Sequence, residues 1–390
     1  MKTPTIRSFT ILSFMIKLAP AFFATTYQLF LFEHGLDIFA MSAINAAYMI
    51  ATFILEIPTG AFADSFGRRA STSVGCLILG LSFLVYFLSA GLMGFILAEI
   101  IGALGMTLIS GAAEAWAVDA LAREGGRPLD LFRQEEKARQ AGVIVGSLSG
   151  ALVGSLDLSL PWLLSGIGMI GAAIIAWRLM PEPGFARKQL SFNLQPLIST
   201  AKESWREGRS NPSFLRLTAM SAIFAVSVQS LNMQWTLSFK NGFQLPVWSL
   251  GLIFVGISLA TALGARFAPL AASKGRHDGQ VLSYAFGLAG IAMLLSGLVR
   301  NLLPALTFFL LHESGQGLFS PLKKEMINRR VDSHNRATML SLESMGAHAG
   351  AFVGLIGGGW IAESLSISAA WSGSGLLLLV LTPLLWKKSI

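Results

Sequence analysis

Residues 96–104 read Ile-Leu-Ala-Glu-Ile-Ile-Gly-Ala-Leu, and residues 376–385 read Leu-Leu-Leu-Leu-Val-Leu-Thr-Pro-Leu-Leu. The strands of a lipid-facing barrel alternate apolar and polar residues over about ten positions, and these runs do not alternate. Over all 390 residues, 53% are hydrophobic and 13% are charged, which is too few charges to cover a soluble protein of this length. The sequence therefore predicts an all-α membrane protein.

The sequence predicts twelve membrane spans, each of about the 20 residues that a helix needs to cross a bilayer. The predicted spans are residues 9–31, 40–60, 70–90, 93–118, 138–157, 160–179, 213–238, 247–270, 280–299, 302–321, 337–361 and 366–386. A proline-rich stretch separates the sixth span from the seventh, and its charged piece, Lys202–Arg209, suits a helix on the membrane surface. We predict a six-helix bundle over residues 1–180, a cytoplasmic linker over 181–212 and a second six-helix bundle over 213–390.

The basic residues predict the orientation of these helices. They lie almost entirely at the termini and in the gaps on one side, whereas the opposite gaps hold only Lys240 and Arg300. Basic loops stay in the cytoplasm, so we expect a multi-pass protein of the cell (inner) membrane with both termini cytoplasmic. The net charge of +8 is spread over many short loops rather than one face, which argues against a nucleic-acid partner.

The two halves share weak internal similarity. Gly67-Arg68 follows the second span, and Gly275-Arg276 follows the eighth. Glycines at every fourth position mark the fifth and eleventh spans, as Gly142, Gly146, Gly150 and Gly154 and as Gly346, Gly350, Gly354 and Gly358. Such glycines share one helix face and let two backbones approach closely, either as static packing or as a contact that slides when the halves rock. Two similar six-helix halves are a known plan of secondary transporters.

After the second span, residues 60–69 read Gly-Ala-Phe-Ala-Asp-Ser-Phe-Gly-Arg-Arg. This loop resembles the signature between helices two and three of the major facilitator superfamily. Residues 110–119 and 336–341 look like stretches of efflux-type members, and with the 6+6 plan the resemblance covers essentially the whole chain. It implies the fold of that family and a cytoplasmic gate in which Arg68 pairs with Asp119. The gate residues are then Gly60, Asp64, Gly67, Arg68 and Asp119.

The residue types suit such a gate. Gly60 would let the end of the second helix pack closely on a neighbour, and Asp64 can face a helix N-terminus or an arginine. Arg68 can fork onto a carboxylate. The second copy has Ala272 in place of Asp64, so we expect a one-sided latch. The fifth span also lacks the proline that the family's antiporter signature carries after glycine.

Ionisable groups inside spans are costly and mark function or pairing. Glu313 lies near the middle of the tenth span and is the first candidate for proton coupling, although a fixed pair with Lys17 or Arg266 is an equal alternative. Glu56, Glu114 and Glu343 are shallower candidates, with Glu343 within reach of Arg266. Glu99 lies toward the outer face and ranks below them.

Polar side chains on the predicted cavity-facing helices are candidate substrate contacts. They fall on the first, second, seventh and eighth spans, as Gln28, Asn45, Gln229, Asn232, Trp235 and Arg266. The abundant aromatic residues suit a small amphipathic or lipophilic substrate, and they suit contact with lipid equally well.

The favoured function is a secondary transporter that exports such a molecule by alternating access in exchange for protons. A metabolite uptake symporter or uniporter is the alternative within transport, and a membrane enzyme or a non-transporting receptor is the alternative outside it. We expect no cofactor and no metal site, since the chain has a single cysteine, Cys76, and no cluster with ligand spacing. The family resemblance implies a monomer.

Overall fold

The computed structural model describes residues 3–183, 185, 211–272, 278–330 and 336–386. Over these residues the chain is helical and contains no strand, so the predicted all-α class is confirmed. A π-helical turn, Ser238–Gly242, follows the ninth helix. The α-helices are α1 Pro4–Ala24, α2 Tyr27–Glu33, α3 Ile38–Phe66, α4 Arg68–Leu88, α5 Leu92–Ile109, α6 Ala112–Arg123, α7 Pro128–Gly154, α8 Leu160–Leu179, α9 Pro212–Leu237, α10 Val247–Ala272, α11 Asp278–Leu298, α12 Leu302–Arg330, α13 Arg336–Ser364 and α14 Ile367–Trp386.

Two predicted spans are broken helices. The first divides at Thr25 and Thr26 into α1 and α2, and the fourth divides at Ser110 and Gly111 into α5 and α6. Gly111 has φ +74°, a left-handed conformation that ends one helix and re-aims the next. A hydropathy profile does not reveal such a break, because both halves of the span are apolar.

Nine helical stretches of the described chain are long and apolar enough to cross a membrane. The predicted spans 138–157 and 302–321 form helices but do not reach that apolarity, and α14 offers a shorter apolar stretch, Ile367–Pro383. Polar residues such as His312, Glu313 and Gln316 dilute α12. The chain is thus a multi-helix membrane protein. The three further spans of the predicted twelve stay a prediction.

The chain divides into two compact units. Unit 1 comprises residues 1–36, 44–192 and 244–255, and unit 2 comprises 37–43, 193–243 and 256–390. The surface helix predicted at Lys202–Arg209, most of the predicted linker, and Gly275-Arg276 lie outside the described residues.

In unit 1 the glycines of α7 pack against the backbone of α1. A Cβ added at Gly142 would lie 2.6 Å from the Phe14 carbonyl oxygen, and one at Gly150 would overlap the Phe22 carbonyl. The core beyond this seam is aromatic, with Trp162 stacked between Phe23 at 4.1 Å and Tyr86 at 4.0 Å between ring centroids. Close backbone contact and ring stacking thus hold α1, α4, α7 and α8 together.

Unit 2 contains the same kind of crossing. Gly350 and Gly354 of α13 meet the Ala222 and Val226 carbonyls of α9, where added Cβ atoms would overlap them. A core of Phe224, Phe286 and Phe319 lies beside this seam. Each glycine series therefore packs two helices within one unit, which favours the packing explanation over a contact that slides between halves.

Candidate functional site

The loop between α3 and α4 is built around Gly67. Its φ of +96° places it at the start of α4, where few residues other than glycine are comfortable. The Glu182 carboxylate accepts hydrogen bonds from the backbone N–H groups of Arg68, at 2.9 Å, and Arg69, at 3.0 Å. A Cβ at Gly67 would lie 2.6 Å from Glu182 Oε2. Glycine is thus required for both the turn and the approach of the carboxylate.

Glu182 therefore occupies the positive end of α4, where a negative charge is stabilised by unsatisfied N–H groups. The prediction placed Asp64 before a helix N-terminus or an arginine. Asp64 is exposed, and among the described residues it has neither an ion-pair nor a hydrogen-bond partner. The expected close packing at Gly60 is also wrong, since an added Cβ there would meet no described atom within 4 Å.

The structure brings Arg68 and Asp119 together. The Arg68 guanidinium forms an ion pair with the Asp119 carboxylate on α6. The two side chains are 34% and 62% exposed, so solvent screens the pair and its contribution to stability is about 0–1 kcal/mol. The pair is therefore better suited to a contact that opens and closes than to holding the fold.

The residues after α8 are fastened onto this loop. Trp116 Nε1 donates to the Pro181 carbonyl at 3.0 Å, and the Phe185 ring lies over Gly67. A cavity of about 290 Å³ lies between them, lined by Asp64, Arg68, Asp119, Arg123 and Glu182 among others. Sequence reasoning missed Glu182; its one signal was an acid between two prolines directly after an apolar span.

Glu313 of α12 is buried, with 6% of its surface exposed. Its Oε1 accepts a hydrogen bond from Gln316 Nε2 at 3.2 Å, and the same amide nitrogen lies 3.0 Å from Asn232 Oδ1 and 3.1 Å from His312 Nε2. Among the described residues of unit 2, no cation forms an ion pair with Glu313, and Arg266 is exposed. Within unit 2, the alternative of a fixed pair between Glu313 and Arg266 is therefore not what the structure contains, and the alternative with Lys17 of unit 1 stays a prediction.

Glu343 of α13 differs from Glu313 in this respect. Its Oε1 lies 2.9 Å from Lys323 Nζ on α12, and the two side chains are only 6% and 18% exposed. The prediction that Glu343 pairs with Arg266 is therefore wrong. Glu343 thus has a cationic partner within its own unit and Glu313 does not, so Glu343 is the weaker candidate for carrying protons.

The predicted substrate contacts divide into open and buried positions. Asn232 is exposed, and Asn45 and Gln229 are partly buried. Gln28 is buried, and Trp235 is 5% exposed with its ring centroid 6.0 Å from that of Phe309. Trp235 is thus part of the core of unit 2 rather than an open surface of it.

Sequence reasoning undervalued Glu99. Its Oε1 accepts hydrogen bonds from the hydroxyls of Tyr27, at 2.9 Å, and Tyr86, at 2.6 Å, and Asn45 interacts with the same Tyr27 hydroxyl. These partners come from α2, α4 and α3, so their meeting is a product of tertiary packing that no local pattern reveals.

The remaining predicted acids, Glu56 and Glu114, are exposed. Glu114 lines a second cavity of unit 1 with Lys17, Glu135 and Arg139. Glu135 precedes the predicted span 138–157, and burial together with the neighbouring Glu114 charge raises the pKa of its carboxyl. Within the described residues, no three His, Cys, Asp or Glu side chains are grouped as metal ligands.

Two sequence relatives are both described as MFS-type transporters. The chain is 33% identical to the MFS-type transporter YxaM of Bacillus subtilis (strain 168) over 153 residues, which span 38% of this chain and 36% of YxaM. It is 17% identical to the MFS-type transporter MJ1560 of Methanocaldococcus jannaschii over 373 residues, 95% of this chain and 94% of that protein. The stronger match in identity thus covers about a third of its relative.

Solved transporter structures share the fold. The nucleoside transporter NupG matches with a TM-score of 0.78 and 14% identity over 98% of this chain and 97% of its own. A bacterial homologue of the iron transporter ferroportin, in an inward-facing state, matches at 0.77 and 14% over 98% and 99%. The human organic anion transporter MFSD10 matches at 0.64 and 18% over 98% and 100%. At these identities the likeness establishes the fold alone.

A profile described as the Major Facilitator Superfamily matches residues 9–321, from the first predicted span to the end of the tenth. The match confirms the resemblance that the loop at residues 60–69 indicated, and with it a transporter of small molecules rather than an enzyme. The chain belongs to the Major Facilitator Superfamily.

Proposed function

We propose that the chain is a proton-coupled exporter of a small amphipathic or lipophilic molecule that works by alternating access. Its twelve spans form two six-helix halves, residues 1–180 and 213–390, joined by a cytoplasmic linker over 181–212. The glycine crossings support this plan, because α1 with α7 and α9 with α13 are built alike. The transporter acts as a monomer in the cell (inner) membrane with both termini in the cytoplasm.

The observation that carries proton coupling is the environment of Glu313. A buried carboxylate without a cation is costly when charged and is stabilised by protonation, so it binds or releases a proton when its surroundings change. Gln316 links it to Asn232, a candidate substrate contact on α9. A ligand that engages Asn232 would disturb the hydrogen bond to Glu313 and thereby couple substrate to proton.

The gate in this proposal is the Arg68–Asp119 pair with the residues around it. Because the pair is solvent-exposed and weak, little free energy is needed to break it. Asp64 lies on the same cavity without a described partner and is therefore free to engage another element in a second state. Glu182 holds the start of α4 in place while the side chains of the gate exchange partners.

Export is favoured over uptake by the efflux-like stretches at residues 110–119 and 336–341. One observation favours the alternative, an uptake symporter or uniporter. Residues 146–150 of α7 read Gly-Ser-Leu-Ser-Gly and lack the proline of the antiporter signature. The direction in which a proton gradient accelerates flux decides between these two functions.

The test begins with a thermal-stability screen of compounds on the purified protein, because a ligand of the folded state raises its apparent stability. The ligand found is loaded into proteoliposomes, and exchange and gradient-driven flux are measured separately. In Glu313→Gln, ligand exchange should be retained, whereas the gradient-driven flux should fall at least about tenfold, because an amide cannot take up or release a proton. Glu33→Gln, an exposed carboxylate outside the predicted spans, is the matched control and should keep both activities. A Glu313→Gln protein that responds fully to the gradient would refute the coupling.

A further inference from the structure

The break between α5 and α6 borders a cavity that lies wholly within unit 1. Its volume is about 150 Å³, and its wall includes Ser110 and Gly111 of the break itself. No side chain caps the first turn of α6. Backbone N–H groups at the start of α6 and carbonyl groups at the end of α5 therefore lack intrahelical partners here, as at the substrate sites of discontinuous transporter helices.

Four charged side chains line this cavity: Lys17 of α1, Glu114 of α6, and Glu135 and Arg139 of α7. Glu135 is only 9% exposed. In the described part of the chain, neither Lys17 nor either of the two glutamates has an ion pair or a hydrogen bond. Arg139 lies 3.7 Å from Glu136, while its Nε is buried without a partner.

Two cations and two anions thus border one space without pairing across it. Glu135 is buried and Lys17 is partly buried, so their charges are costly without a partner, and a ligand that carries both signs lowers the cost of both. A simple anion would be repelled by the two glutamates, and a simple cation by Lys17 and Arg139. A molecule that carries both charges satisfies both pairs at once.

The size and the rest of the wall fit the same class of ligand. A water molecule takes about 30 Å³ of liquid volume, so the cavity holds about five waters or a head group of a few heavy atoms. Phe9, Ile16, Met106 and Ile109 supply an apolar side beside the charges. The geometry favours a charged head with a short apolar body over a large hydrophobic compound.

We propose that this cavity binds a small zwitterion, with its cationic nitrogen at Glu114 and Glu135 and its anionic group at Lys17 and Arg139. The proposal rests on the transport function and deepens it by naming the class of substrate. It also gives Lys17, in the middle of α1, a role as the residue that fixes the anionic end.

The test uses the purified full-length chain in nanodiscs and three probes with the same carbon chain: 4-aminobutyrate, butylamine and butyrate. Thermal unfolding is followed as each probe is titrated. The zwitterion should reach half-saturation at a concentration at least about tenfold lower than either singly charged probe, because each end gains a charge-assisted hydrogen bond. Equal affinity for butyrate or butylamine, or no stabilisation by 4-aminobutyrate, would overturn the proposal.

Two variants assign the ends of the ligand. Lys17→Gln should remove the advantage of 4-aminobutyrate over butylamine, and Glu135→Gln its advantage over butyrate. Lys137→Gln, at an exposed lysine two residues from both Glu135 and Arg139 on α7, should change neither. If Glu135→Gln does not fold, Glu114→Gln tests the same end. Unchanged selectivity in both variants that fold places the zwitterion elsewhere and contradicts the assignment.

This experiment separates the two proposals. If the protein transports a ligand from the compound screen into or out of vesicles but shows no preference for the zwitterion, only the proposed substrate class is refuted. If the protein binds the zwitterion as described but transports no ligand under any gradient, the proposed transport function is refuted instead.

Discussion

Two glycines of one loop have opposite surroundings. Gly67 adopts φ +96° with the Glu182 carboxylate 2.6 Å from where its Cβ would be, whereas Gly60 is helical with open space around it. The family pattern contains both glycines and does not distinguish them. The difference arises from Glu182, which reaches the loop from more than a hundred residues away.

Gly67→Ala should therefore destabilise the protein by about 1–3 kcal/mol, because the alanine strains the backbone and displaces Glu182 from the start of α4. Gly60→Ala is the matched control and should be neutral or stabilising by up to about 1 kcal/mol, since alanine favours helix. Thermal unfolding of both purified variants measures the difference. Equal loss of stability in the two would show that the space at Gly60 is not open.

The buried pair of Glu343 and Lys323 permits a second test at the residue scale. Glu343→Gln leaves the lysine without its partner and should cost about 3–5 kcal/mol, whereas Lys323→Met with Glu343→Leu should recover most of that loss. Thermal unfolding of both variants in nanodiscs checks this. If the single variant is as stable as the parent, the lysine has another partner and the pair does not fix Glu343.

Among the contacts between helices, those at the glycine series leave the least space for an added side chain. Gly150→Ala should lower the yield of folded protein and its melting temperature markedly, since the new methyl group would overlap the Phe22 carbonyl of α1. Gly171→Ala of α8 places the same methyl group where nothing lies within 4 Å and should be tolerated. Yield and melting temperature of the two variants provide the comparison. Normal folding of Gly150→Ala would mean that α1 and α7 separate without cost.

How far the sequence predicts this protein depends on whether a feature is local. Apolar runs predict the helices, and the loop at residues 60–69 predicts the family, because both signals lie within a few neighbouring residues. The break at Gly111 was not predicted, since hydropathy does not respond to backbone dihedral angles. The Glu99 contacts with Tyr27 and Tyr86, and the pairing of Glu343 with Lys323, were missed because they join different helices.

In the whole molecule, alternating access requires that a single set of polar positions faces each side of the membrane in turn. Asn232 is well placed to report this, as an exposed polar residue of α9 linked through Gln316 to Glu313. The sequence has one cysteine, Cys76, which is fully buried, and Cys76→Ala leaves a background without cysteine.

The most direct measurement is the reaction of Asn232→Cys, in a Cys76→Ala background, with a membrane-impermeant maleimide applied from each side. Alternating access predicts labelling from both sides, with a ratio that shifts when a ligand or a proton gradient is added, because each side is open in part of the cycle. Labelling from one side only, unchanged by ligand and gradient, would contradict alternating access.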